Sequence, residues 1–157
     1  MPIFCPKEFK ITALRECPMP DAMDICETPE QAAAYWRRHI PQMPTFNPEL
    51  ECFVVLLLNT RRRIKGHTLI SIGTLDTLLV HPREVFRPAI IAASAAIILM
   101  HNHPSGDHCP SEADIKVTRE LIRAGELLKL PVLDHVVIGH PDLPKPYCSL
   151  RELGYCY

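Results

Sequence analysis

At 157 residues the chain can bury an ordinary single-domain core without disulfides or a metal as scaffold, so any metal it holds is expected to be functional rather than structural. Lys plus Arg number 17 against 18 for Asp plus Glu, which excludes a global electrostatic preference for nucleic acid, anionic membrane or acidic substrate. The seven cysteines (Cys5, Cys17, Cys26, Cys52, Cys109, Cys148, Cys156) are odd in number and none has C-x-x-C spacing, so neither a disulfide framework nor a zinc ribbon is signalled and a reducing cytoplasm is expected.

Residues 1 to 48 carry half of the 16 prolines, which remove backbone donors and forbid long regular elements there. The N-terminus "MPIFCPKEFK" has no long apolar stretch, so an unexported protein is expected. One helix is predicted in "TPEQAAAYWRRHI", with Thr28 as N-cap, Pro29 at the first helical position, Glu30 early, and Arg37, Arg38 and His39 at the end, all favourable to the helix dipole. Tyr35 and Trp36 are expected to pack it down. Residues 1 to 48 read as an arm appended to a core domain of residues 49 to 157, with the boundary near Pro48.

From Glu49 the pattern changes. "ECFVVLLLNT" is a nearly continuous apolar run, as in a strand buried on both faces, and "RIKGHTLISI" suits a second strand paired to it as a hairpin. "TLLV" is a further short strand candidate, and "PREVFRPAIIAASA" reads as a helix despite Pro88, the point where a kink or break would fall. "AIILMH" reads as a buried strand, its apolar run far below the about 18 residues of a membrane span. "SEADIKVTRELIRAGELLKL" places Ile115, Leu121, Ile122, Leu127 and Leu128 between charges, an amphipathic helix, and "VLDHVVIG" closes as a strand. Strands interleaved with helices predict an α/β core.

The chemistry gathers in "LMHNHPSGDHCPSEAD". In extended chain, side chains two apart share a side, so His101 and His103 can both face one ion while Asn102 points away. Asp114 can supply a third ligand if the loop, rich in Pro and Gly, doubles back and Ser111 starts a helix. Two imidazoles and a carboxylate suit zinc with one open position for water. Ser111 followed by Asp114 also resembles a capping box, which needs no metal, although a hydroxyl can cap and still face the site.

The pattern H-x-H-x7-S-x-x-D resembles the JAMM (MPN-plus) metalloprotease motif. Together "HPREVFRPAI", "HNHPSGD", "PSEADIKVTREL" and "LDHVVIG" resemble the RadC family of JAB-domain proteins, over roughly residues 49 to 157. The resemblance implies a three-layer α/β/α, cytidine-deaminase-like fold with a mixed sheet. It implies Zn2+ on His101, His103 and Asp114, with Ser111 near the attacking water or the developing oxyanion, and a peptide or protein substrate. The family also uses a glutamate on an early strand as general acid/base, and its E-x-F start matches Glu51. By residue type alone Glu49 and Glu84 are rivals.

The function expected from this resemblance is a zinc metallohydrolase of the metallopeptidase or isopeptidase type. A non-catalytic or DNA-repair-associated module is the alternative, and the first 48 residues lack the Gly-rich helix-hairpin-helix pattern that precedes this domain in longer RadC proteins. Deaminase chemistry would couple H-x-E with P-C-x-x-C, and neither appears. A two-metal nuclease suits a single three-ligand set poorly. The basic turn Arg61, Arg62, Arg63 and Lys65 reads as a solvated hairpin tip without stacking aromatics, His135 as either a core histidine or one orienting a ligand, and Cys109 as a passive loop thiol.

Overall fold

Strand β1, Glu51–Leu58, is buried on both faces beyond its first residue, which is why its sequence is a continuous apolar run and not an alternating one. On one edge it pairs antiparallel with β2, Ile64–Gly73, to form the expected hairpin; on the other it pairs antiparallel with β3, Ala96–Asn102. Strand β3 runs parallel to β4, Val132–Ile138, and β4 pairs antiparallel with the short β5, Tyr147–Ser149. The result is a mixed five-stranded sheet of order β2-β1-β3-β4-β5 in a computed structural model that describes residues 23–73 and 80–156.

The two faces of β1 bury against different helices. Cys52, Val54, Leu56 and Leu58 share a core with Ala32, Ala33 and Trp36 of α1, Pro29–His39, and with Ile40 of the 3-10 turn that follows it. Phe53, Val55 and Leu57 pack with Val85, Phe86 and Ala89 of α2, Pro82–Ile91, and with Val117 and Leu121 of α3, Glu112–Leu128. One helix, a sheet, then two helices form the α/β core that the pattern predicts, in the three layers that the family resemblance implies. Helix α1, N-terminal to the expected boundary near Pro48, shares a core with strands that follow that boundary. It starts with the predicted Thr28 cap, completed by Gln31 as a capping box.

Two local features need a physical reason. Helix α2 forms despite Pro88, as expected, runs through it unbroken and ends three residues later, at Ile91. A proline inside a helix costs about 3 kcal/mol, but Val85 and Phe86 before it and Ala89 after it are all buried, and each large side chain returns about 1.5–3 kcal/mol. Strand β5 had no expected counterpart, because three residues are too few to show a period. The strand expected at residues 77 to 80 lies, apart from the buried Val80, outside the described residues.

Candidate metal centre

Strand β3 lies in the middle of the sheet, between β1 and β4, and its C-terminal end carries His101, with His103 just beyond it. His101 is fully buried, stacked on Phe53 with ring centroids 6.1 Å apart and 14° between planes. His103 lies one residue past the strand, in a turn where Gly106 (φ 82°) donates its N–H to the His103 carbonyl at 2.9 Å. This loop lies so close to the end of β4 that a Cβ on Gly139 would meet the Gly106 carbonyl oxygen at 2.7 Å.

The loop then delivers α3. Ser111 is its N-cap: Ser111 Oγ accepts from the Asp114 N–H at 3.2 Å, and Asp114 Oδ2 accepts from the Ser111 N–H at 2.6 Å and from the Ser111 hydroxyl at 2.7 Å. The capping box is therefore real, and it is also what aims Asp114. One carboxylate oxygen, Oδ1, is left 3.3 Å from His101 Nε2, while Oδ2 lies 3.4 Å from His103 Nε2. The cap and the aim of the carboxylate at the two rings are one geometry.

His101, His103 and Asp114 form a group whose ligand atoms all lie within 4.8 Å of one another and can hold a metal ion. The two Nε2 atoms are 3.0 Å apart. Two ligand atoms about 2.05 Å from a tetrahedral zinc would be about 3.3 Å apart; the two imidazole nitrogens are 3.0 Å apart and each lies 3.3 or 3.4 Å from a different oxygen of the Asp114 carboxylate, so two rings and one carboxylate close on a space of the size that one small cation needs.

The donor chemistry fits as well. His103 Nδ1 lies 2.8 Å from the Asp107 carbonyl oxygen, which only accepts, so the proton is on Nδ1 and the Nε2 lone pair faces the group. For His101 the same result is reached through two further residues. The Thr118 hydroxyl spends its single proton on the Asp114 carbonyl at 2.6 Å, so His135 Nδ1, 2.6 Å from Thr118 Oγ1, must donate to it. Burial lowers the His135 pKa well below the usual imidazole range and keeps the ring neutral, so its Nε2 accepts, and His101 Nδ1 donates across 2.8 Å. His101 Nε2 is then a lone pair too. Two lone pairs and a carboxylate converging in a buried pocket call for positive charge, supplied by a metal or by protons.

Proton occupancy shows the same demand. Burial raises the Asp114 pKa, but where protons rather than a metal supply the charge, Nε2–H hydrogen bonds from the His101 and His103 rings outweigh it and hold the carboxyl far below the ordinary carboxylate range. The His103 imidazole is pushed up, chiefly by its bond to Asp114, against burial, with the Asp107 carbonyl and the charges of Asp114 and Glu51 adding to the effect.

Glu51 opens β1, and extending the register that pairs Phe53 with His101 sets it opposite His103 on the same sheet face. Its backbone is clamped from both sides by Asn102, which does point away from the two histidines. Asn102 Oδ1 accepts from the Cys52 N–H at 2.9 Å, and its Nδ2 donates to the Leu50 carbonyl at 3.0 Å. The rivals lie elsewhere: Glu49 is exposed in the preceding turn, and Glu84 pairs with Arg87 at 2.6 Å.

Thr118 carried no signal beyond lying four residues, one helical turn, after Asp114. Behind His135, the buried Asp134 accepts from the His135 N–H and the Ser149 hydroxyl, each at 2.7 Å, and fixes the strand from its far side. Cys109 is exposed and groups with Asp107 and His108 instead of the three ligands; its bond with Asp107 raises its pKa and keeps it a thiol. In the basic turn, Arg63 donates to the Met23 carbonyl at 2.8 Å and Lys65 to the carbonyls of Ala92 and Ala93. The described cysteines, Cys26, Cys52, Cys109, Cys148 and Cys156, are free thiols, and no helix among the described residues is long and apolar enough to cross a membrane.

A family model described as the RadC-like JAB domain matches residues 26–155. The chain is 40% identical over 134 residues (85% of this chain, 50% of the relative) to a UPF0758 protein of Thermosynechococcus vestitus. It is 53% identical over 104 residues (66% and 44%) to a UPF0758 protein of Desulforamulus reducens, and 41% over 128 residues (82% and 53%) to one of Bacillus mycoides. The chain spans about half the length of these curated relatives. The match includes α1 and all five strands.

Proposed function

The chain belongs to the RadC-like JAB domain family, and from that premise we propose that it is a zinc-dependent metallohydrolase of the metallopeptidase or isopeptidase type, acting on amide bonds of a peptide or protein. The observation that carries this reading is the convergence of two imidazole lone pairs and one carboxylate at a buried point, each held by its own hydrogen bonds. Three protein ligands with a fourth position left for water are the pattern of catalytic rather than structural zinc.

A zinc ion on His101, His103 and Asp114 would supply Lewis acidity to the scissile carbonyl and lower the pKa of its water toward about 7. Glu51, across from His103, takes the proton of the attacking water and returns it to the leaving amine. Asn102 keeps that carboxylate in place through the two peptide groups flanking it. Ser111 turns its hydroxyl from Asp114 Oδ2 toward the tetrahedral oxyanion.

The test is hydrolysis of a broad panel of peptides and isopeptides by protein purified without a metal-binding tag, read by mass spectrometry. Zinc-loaded wild type should cleave members of the panel; chelation should stop it, added zinc restore it, and His103→Ala abolish it. Zinc-loaded protein that leaves the whole panel intact, or cleavage untouched by chelation, overturns the reading.

A further inference from the structure

On the α1 side of the sheet, beside His103, lies a cavity of about 450 Å³, within the range of small-ligand sites. Its edges belong to the segments that carry the candidate chemistry. Phe46 and Pro48 lead into Glu51, and Asn102, His103 and Pro104 follow His101. It also lies beyond the C-terminal ends of the parallel strands β3 and β4, where open α/β sheets place their ligands.

The lining is selective. Trp36 and Phe46 meet edge to face, with centroids 6.2 Å apart, as an aromatic wall. Prolines 41, 48, 104, 141 and 146 line the remainder, and a proline has no N–H to donate. The polar side chains there are largely spent: Asn102 on the Cys52 and Leu50 peptides, His103 Nδ1 on the Asp107 carbonyl, and His140 on Asp142. Arg37 differs. It is exposed at the last turn of α1, and among the described residues no carboxylate lies within 4.0 Å of its guanidinium.

We propose that this cavity is the substrate subsite of the centre, receiving a bulky apolar side chain from the peptide near the amide to be cleaved, with an adjacent acidic side chain pairing to Arg37. The assignment rests on the metallopeptidase reading for the fate of the amide, while recognition itself needs no turnover. An apolar ring replaces water against the aromatic and proline wall, and the carboxylate can form two parallel hydrogen bonds with the guanidinium.

Trp36, the chain's single tryptophan, reports directly on occupancy. Acetyl-Phe-Asp-amide, acetyl-Gly-Asp-amide and acetyl-Phe-Lys-amide are titrated into the full chain, metal-free and zinc-loaded, while Trp36 emission is followed. The Phe-Asp peptide should give a saturable change in both forms, with the other two at least about tenfold weaker. In Arg37→Glu, with its thermal transition unchanged, the preference should invert toward Phe-Lys. No saturable change with any peptide, equal affinities for all three, or an unaltered rank order in Arg37→Glu overturns the proposal. Because the metal-free arm measures binding alone, a failed hydrolysis panel with intact selective binding counts against the hydrolase reading and not against the subsite.

Discussion

His101 and His135 share a 2.8 Å hydrogen bond whose direction is fixed from its far end, by the one proton that Thr118 has to give. Thr118→Val keeps the shape and removes the hydroxyl, freeing His135 to take the other tautomer and His101 to turn a protonated nitrogen toward the metal position. Zinc affinity should fall about 10- to 100-fold, the usual loss for a residue that orients a ligand, and Thr118→Ser should recover most of it. Chelator competition on folded protein decides; equal affinity in wild type and Thr118→Val removes the relay from the account.

Zinc content follows from the convergence of three ligand atoms. Protein purified without a metal-binding tag should hold about one zinc per chain by elemental analysis, and His103→Ala and Asp114→Ala should each lose it. Retention in both variants would show that the ion sits elsewhere.

Stability should depend only weakly on the metal. Apolar clusters fill both faces of the sheet, so chelated protein should keep a cooperative thermal transition at a somewhat lower temperature, since bound metal adds stability by mass action. Loss of the transition on chelation, as in a zinc finger, would make the ion structural.

Glu51→Gln keeps the shape of the side chain but cannot carry a proton. Zinc should stay bound while hydrolysis drops about 10²- to 10⁴-fold, whereas Glu49→Gln, in an exposed turn, should change little. Metal content and rate are measured on the same preparations; zinc loss in Glu51→Gln would make the residue a ligand, and an unchanged rate would take it out of the mechanism.

Helix α1 should contribute to global stability. Trp36 is 3% exposed and packs with strand residues from β1 and β3, so Trp36→Ala should cost about 3–5 kcal/mol in chemical unfolding. A cost under about 1 kcal/mol would show that α1 can leave without disturbing the sheet.

Much of this was legible locally. The run from Cys52 to Leu58 is apolar because both faces of β1 are covered, and the amphipathic spacing of Ile115 and Leu121 is what lets α3 lie on the sheet. The Thr28 and Ser111 caps, and the separation of Asn102 from its flanking histidines, follow from hydrogen bonding and side-chain alternation within a few residues. Such features act over one or two helical turns, so a sequence displays them directly.

Other decisions belong to strand order. That Asn102 clamps the peptides on either side of Glu51, 50 residues from Cys52, requires β3 to lie beside β1; that His135 reaches His101, 34 residues away, requires β4 on β3's other edge. No local period encodes which strands become neighbours, because that choice is made by the total burial of both sheet faces. The same burial carries α2 through Pro88 and joins α1 to the core. By itself the sequence determined the elements and the types of ligand; the tertiary structure decided which lone pairs meet, since a buried imidazole's tautomer depends on partners that only packing brings within hydrogen-bond reach.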